Sequence, residues 1–318
     1  MKILVTGGAG FIGSHLVETL VGRGHSVTVF DDLSTGKYEY LTDCQGRFTF
    51  VNGDIGNEAL IDEVVQGHDF VFHLCDNSDI QFSIQHPKTY VDQNILGCFH
   101  LLTSMNKHGV RKIVFPSSTS VFGDATTVPT PESYGPLQPM NLYGAAKLSC
   151  EALISAFAHS FDMQAWIFRF VNIIGPRMDH GAIFDFIRKL QANPTELHIL
   201  GDGTQQRSYL IIDDCIDGIL TATEHCPEVV NTVHLGNRQQ LTITDVAKLV
   251  CEQMGLDSVR FTFSGRKKGW VGDANTNFMS TETLDKLNWS PKLNSAQAVR
   301  EAARRILAAG SHQNVALS

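Results

Sequence analysis

The segment that most constrains this chain is GGAGFIG, residues 7–13. It stands between an apolar run, KILVT at 2–6, and a stretch whose apolar residues recur at helical spacing. Gly7, Gly10 and Gly13 follow the pattern GxxGxxG. In a strand–turn–helix such glycines permit a tight turn, close approach of backbone to a pyrophosphate, and packing of the helix on the strand. The helix N-terminus then offers unpaired N–H groups to the anion. The spacing predicts a helix over 11–23 that buries Ile12, Leu16, Leu20 and Val21 and ends near Gly24, followed directly by strand SVTVF at 26–30. Asp31 closes that strand, 18 residues beyond Gly13. A carboxylate there accepts hydrogen bonds from both adenosine ribose hydroxyls and repels the extra phosphate of NADP, so turn and Asp31 together predict a site for NAD.

The alternation continues with strand RFTFV, a helix around 57–66, strand DFVFHL, a helix at 87–107 begun at Pro87 and stopped at Gly109, and strand KIVFPS. A helix at about 141–160 and strand AWIFRF at 165–170 follow. Apolar strands alternating with helices give an α/β fold, a doubly wound parallel sheet of Rossmann type covered on both faces. Beyond residue 171 the rhythm loosens, and Gly-rich turns separate helices at about 182–192, 213–225, 243–254 and 294–309, read as a smaller lid. No repeat, charge block or Pro/Ser linker marks a boundary. The expected division is therefore interleaved: residues 1–170 bind the dinucleotide, a segment near 213–236 with strand TVHL returns to them, and 171–318 form mainly the substrate domain.

Composition narrows the function. The 318 residues suffice for one large or two joined domains, and 43% apolar residues with 18% charged ones describe a folded globular chain. The net charge is −8 with no basic cluster, so the positive footprint that phosphate contacts with nucleic acid require is missing. The seven cysteines are odd in number and form no CxxC or CxxH pair, which predicts no zinc and free buried thiols of a reducing cytoplasm. The apolar start MKILV is broken at Gly7, and no run of about 18 apolar residues occurs, so neither export nor a membrane anchor is expected.

The fifth strand ends in FPSSTSVFG, and YGAAK follows it. Tyr143 and Lys147 are four apart and share a helix face. An ammonium beside a phenol favours the phenolate and makes Tyr a base near neutral pH, while Ser118 at the strand end can bind the same substrate hydroxyl. Asp54 in NGDI lies on the same carboxyl edge of the sheet, in reach of an adenine or, alternatively, as a helix N-terminal Asp.

With the glycine turn, the strand-end serines and YxxxK, the chain resembles the extended short-chain dehydrogenases/reductases. The closest likeness is to the compact UDP-galactose 4-epimerases of the nucleotide-sugar epimerase/dehydratase family. The likeness runs from Met1 to about Arg304 through GGAGFIG, DDLSTG, NGDI, FHL, the Asn94–Gly97 helix, SSTSVFG, YGAAK, FRFVNIIGPR, LGDGTQQRSYL and GWVGD. It implies Ser118 and Tyr143 at the sugar 4′-hydroxyl and Lys147 on the nicotinamide ribose. It also implies cofactor contacts from Gly7, Gly10, Phe11, Ile12, Gly13, Asp31, Asp32, Asp54, Ile55, Leu74 and Asn94, besides Tyr143 and Lys147. Asn172 falls on the sugar diphosphate, Arg207 on a phosphate, and Lys268 and Asp273 near the uridine diphosphate. The reaction implied is inversion at C4′ of UDP-glucose or UDP-galactose: Tyr takes the proton, hydride leaves for NAD, the 4-keto sugar turns over, and the hydride returns to the opposite face. The alternatives are a 4-epimerase of UDP-glucuronate or an N-acetylated UDP-hexose, a dehydratase or decarboxylase, and a non-catalytic NAD-binding regulator. A homodimer through the faces of helices 87–107 and 141–160 is implied as well, with Ile95, Leu102, Leu153 and Phe157 as interface or core.

The departures are informative. Where the family commonly has HLAA, this chain reads His73, Leu74, Cys75, Asp76, placing bulk and charge beside the cofactor. Phe122 replaces the usual Tyr of VYG, Lys268 with Trp270 nearby stands for an Arg, and His234, read as packing, stands where Asn is common. His180 in DHG is either a phosphate contact or a solvated loop residue. Dehydratase relatives carry an Asp-Glu pair after the strand-end Thr, whereas Thr119 and Ser120 occupy those two positions here. Neither is an effective general acid or carboxylate base near pH 7.

Overall fold

A run such as Phe70–His73, buried along its whole length, belongs inside a sheet covered on both faces, and the computed structural model places it there. The structure describes residues 1–265 and 278–315. Along the chain come β1 (Lys2–Thr6), α1 (Phe11–Gly22), β2 (Ser26–Asp31), β3 (Phe48–Asn52), α2 (Glu58–Val65), β4 (Phe70–His73), α3 (Ile80–Gln85), α4 (Pro87–Thr89), a π-helical turn (Tyr90–Leu96), α5 (Gly97–His108), β5 (Lys112–Ser118) and α6 (Leu142–Ser160). Then follow β6 (Gln164–Phe170), β7 (Asn172–Ile174), α7 (Ala182–Ala192), β8 (Glu196–Ile199), β9 (Gln206–Ile211), α8 (Ile212–His225), β10 (Val230–Leu235), β11 (Gln240–Thr242), α9 (Ile243–Gln253), β12 (Arg260–Phe263), α10 (Glu282–Lys286) and α11 (Ser295–Val315).

The main sheet has the order β10-β6-β5-β4-β1-β2-β3, with parallel pairing from β3 through to β6. The strand order reverses between β1 and β4. That reversal opens a crevice at the strands' carboxyl ends, the usual seat of a ligand in such folds. One core lies under this sheet, where Leu4, Val71, Ile113 and Ile167 meet Leu101, Met105 and Ile154 of the helices. Local signals fix the helix ends. Asn57 and Asn141 accept hydrogen bonds from Leu60 N and Gly144 N as N-caps, and Gly109 stops α5 at φ +73°.

Two compact units emerge. The first is Met1–Gly123, Tyr134–Phe170 and Ile219–His234, which includes most of strand β10. The second is Asp124–Ser133, Val171–Gly218 and the described residues from Leu235 on. It has its own core, in which Ile183, Phe186 and Leu190 pack with Leu197, Tyr209, Val246, Val250 and Val299. The capping box of Thr242 and Asp245 begins α9 there. Two features differ from the sequence expectation. The 87–107 helix carries a π turn near its start, and the short helix α3 precedes it. No helix among the described residues is long and apolar enough to cross a membrane.

Candidate active site

The glycine turn is built by close backbone approaches. Gly7 sits at φ +69°, and a Cβ on it would lie 2.6 Å from Cys75 N; one on Gly13 would lie 2.1 Å from the Gly7 carbonyl oxygen. Only glycine satisfies both places. Gly10 differs, since its nearest neighbour beyond the adjoining chain is the Gly7 oxygen at 3.3 Å, so the space before it is open. Gly10 is also the N-cap of α1 and supplies no side-chain cap. Ser14 N donates to Gly10 O, which leaves the earlier N–H groups of that first turn without intrahelical partners and aimed outward as an anion cradle.

Asp31 ends β2 beside this cradle. Its two oxygens accept Ala9 N and Leu33 N, each at 2.9 Å, and only 6% of the residue is exposed. Burial raises its carboxyl pKa, and the two backbone bonds work the other way. An open cradle and a buried, backbone-tied carboxylate fit the pyrophosphate and ribose of a dinucleotide. Phe11 and Ile12 are half-buried at the start of α1, and Leu74 is half-buried with its N–H on Thr6 O. Asp32 is exposed and accepts bonds from Ser34. Asp54 is exposed and accepts Gly56 N at 2.8 Å, closing the turn before α2, and Ile55 is buried against Gly97.

The ends of β4 and β5 with α6 form the other part. Lys147 is buried, and its Nζ donates to Pro116 O at 2.7 Å and pairs with Asp76 Oδ2 at 2.8 Å. It lies 4.7 Å from the centroid of the Phe115 ring and 5.7 Å from that of Tyr143. Ser118, which also bonds Ser120, is hydrogen-bonded to Tyr143. The structure therefore brings Ser118, Tyr143 and Lys147 together. The phenol, however, is not acidified. Burial drives its pKa up to about 12, Lys147 and Ser118 pull it down, and Asp76 opposes them. This corrects the expectation of a phenol lowered by its lysine: the lysine does pull the pKa down, but burial outweighs it and Asp76 adds to the burial. Asp76 and its partner Asn94 are the residues that motif reading undervalued. Asn94, on the π turn, gives its amide to Asp76 Oδ1 and Asn77 O and accepts Asn77 N. The signal was a carboxylate three residues beyond a buried strand.

Behind the site a further buried pair steadies α6. Arg169 meets Glu151 through two bonds, at 3.1 and 2.7 Å, and Ser117 donates to the same carboxylate. His73 is fully buried, its ring nitrogen 2.8 Å from Thr6 Oγ1, and burial with the nearby Lys147 charge pushes its pKa down to about 3. Phe122 and His234 are buried and meet edge to face, consistent with packing. In the second unit Asn172 on β7 donates to Ser208 O, and buried Arg207 on β9 donates to Gln206 O. His180 is exposed and bonds Asp179. Lys268, Trp270 and Asp273 lie outside the described residues. All seven cysteines are free, and no group of ligating side chains among the described residues is arranged for a metal.

Compared with known proteins, residues 3–236 match the sequence profile of the NAD dependent epimerase/dehydratase family. A UDP-glucose 4-epimerase of Halalkalibacterium halodurans is 30% identical over 95% of this chain and 94% of its own. The crystal structure of a UDP-glucose 4-epimerase from Thermotoga maritima with UDP-glucose superposes at a TM-score of 0.89 with 30% identity, covering 97% of this chain and 99% of that one. The Thermus thermophilus UDP-glucose 4-epimerase, solved in complex with NAD, gives a TM-score of 0.86 at 27% identity, covering 97% and 100%. On this profile, this near full-length relative and the cradle formed by Gly10 and Asp31, the chain belongs to the NAD-dependent epimerase/dehydratase family of enzymes, with NAD as its cofactor.

Proposed function

We propose that this protein inverts C4′ of a UDP-hexose, interconverting UDP-glucose and UDP-galactose. The observation that carries the reading is the union of Ser118, Tyr143 and Lys147 at the end of β5, with Thr119 and Ser120 where an acid and base for elimination would have to stand. NAD, held by the Gly7–Gly13 turn and Asp31, would supply the hydride acceptor and donor. Tyr143 takes the proton of the 4′-hydroxyl at its phenol oxygen and later returns it, and Ser118 orients that hydroxyl. Lys147, held at Pro116 O, keeps its charge in place beside the phenol. Asn172 and Arg207 are our candidates for donors to the sugar diphosphate, an assignment supported by the fit of amide and guanidinium to phosphate oxygens.

Thr119 and Ser120 supply neither the acid nor the carboxylate base that elimination of water would need, which favours inversion over dehydration. The test is incubation with UDP-glucose and UDP-galactose, followed by chromatography and mass spectrometry. A 4-epimer of unchanged mass is expected. Products lighter by water or carbon dioxide overturn the reading, and so does conversion confined to other UDP-sugars such as UDP-glucuronate or an N-acetylated hexosamine.

We further propose a homodimer through α5 and α6 and a cytoplasmic setting. Val91, Leu96, Phe99 and Phe161 support the dimer, each being between 40% and 46% exposed. Leu102 does not, since it is fully buried in the core. Light scattering at twice the chain mass is expected.

A further inference from the structure

We propose that Asp76 is a positioning residue of this site: it fixes the Lys147 ammonium against the Pro116 carbonyl and sets a carboxylate against that ammonium beside Tyr143. The inference rests on reading Tyr143 as the acid–base group, and it is a property of this chain's own side chains.

The geometry is built from both sides. Lys147 Nζ has two close oxygen partners, Asp76 Oδ2 at 2.8 Å and Pro116 O at 2.7 Å, and both residues of the ion pair are largely withdrawn from water. Asp76 is gripped in turn. Its Oδ1 takes the amide of Asn94, a residue 5% exposed, which is locked to the Asn77 backbone through both its oxygen and its nitrogen. Tyr90 ties the same segment down by donating to Asn77 Oδ1 and Asp79 O. A carboxylate held this way cannot swing aside, so the lysine is not a free charge beside the phenol.

Electrostatics then assigns the consequence. The groups around the phenol and the lysine are Cys150 on α6, Cys98 on α5, His73 at the end of β4, Tyr90 on the π turn with Asp79 beside it, and Ser118 and the Phe115 ring on β5. His73 is held neutral and the Cys98 thiol is held protonated, while burial pushes the Asp76 carboxyl up and the Lys147 ammonium draws it down, so the charges acting on Tyr143 are those of Lys147 and Asp76. Burial opposes the ionisation of the phenol, the ammonium favours it, and Asp76 works against the ammonium. Removing the carboxylate charge leaves the ammonium acting alone on the phenol and eases its ionisation.

The experiment is an ultraviolet difference titration of phenolate absorbance in the purified protein, with Tyr143→Phe as the blank that isolates this one phenol. Asp76→Asn is expected to move the onset of Tyr143 phenolate at least one pH unit lower, roughly a tenfold gain in phenolate at fixed pH below the midpoint. The acid limb of the kcat–pH profile should move the same way. Asp76→Glu, which keeps the charge, should restore the parental onset.

An Asp76→Asn titration that overlays the parent overturns the proposal. Since an uncompensated buried lysine can destabilise the fold, the double variant Asp76→Asn/Lys147→Met removes both charges together. Its onset should return toward the parental one, and a double variant shifted as far as the single one overturns the proposal too. The titration needs no sugar substrate. A failure of epimerisation therefore leaves this result standing, and a flat titration leaves the epimerase reading standing.

Discussion

At the glycine turn, the groups offered to a dinucleotide are backbone N–H groups of α1 and a carboxylate tied to backbone N–H at each oxygen. At the ends of β4 and β5, a short way along the same sheet edge, the working groups are side chains, and they are held largely by other side chains: Lys147 by Asp76, Asp76 by Asn94, Tyr143 by Ser118. The first end is fixed by close approaches of backbone, within the turn and against the segment after β4. The second depends on residues from β4, the π turn and α6 arriving together. Binding and chemistry should accordingly be separable by substitution.

The sharpest test of that separation is Tyr143→Phe. Turnover is expected to fall by about a hundredfold to ten thousandfold while NAD stays bound, because only the acid–base oxygen is lost. Retained turnover, or loss of NAD together with turnover, breaks the distinction. Asp31→Asn probes the opposite end. A hydrogen bond to a charged group is worth about 1.5–3 kcal/mol, so NAD affinity measured by calorimetry should fall roughly tenfold to a hundredfold. At saturating NAD, kcat should be close to that of the parent.

A further effect is expected on stability below neutral pH. His73 has a folded pKa of about 3 against an ordinary 6.5, so on acidification the unfolded chain takes up a proton that the folded site refuses. Its contribution is complete above pH 6.5 and is lost as pH falls toward 3, at about 1.4 kcal/mol per pH unit. Denaturant titrations at several pH values should show a shallower decline for His73→Gln. Equal slopes would mean that this buried end titrates no more tightly than the surface.

The same contrast decides what could be read from the sequence. The β1–turn–α1–β2 unit follows from local rules, namely apolar periodicity, glycine spacing and a strand-end acid, and Asp31 lies where those rules put it. YxxxK was equally legible as a helix face. Asp76 was visible only as an unusual residue after FVFHL, because its partner on α6 lies far along the chain and nothing in local spacing couples them. The Glu151–Arg169 pair escaped for the same reason, although Glu151 stands four residues after Lys147 on the same helix face. The π turn left no trace in the apolar pattern, and Leu102, read as interface or core, is core.

That turn has a consequence for how this region tolerates change in length. A residue in an α-helix advances the phase by about 100°, and a π turn absorbs one extra residue without breaking the helix. Downstream, Gly97, Cys98, Leu101 and Met105 face the core, while within the turn Tyr90 and Asn94 point to the segment after β4. Deleting one residue from Tyr90–Leu96 would restore a regular helix and rotate everything upstream by roughly that angle. Tyr90 would leave Asn77, while residues beyond Gly97 stayed in register. The turn is thus a phase adjuster, letting one helix serve a hydrophobic core at one end and a polar anchor at the other.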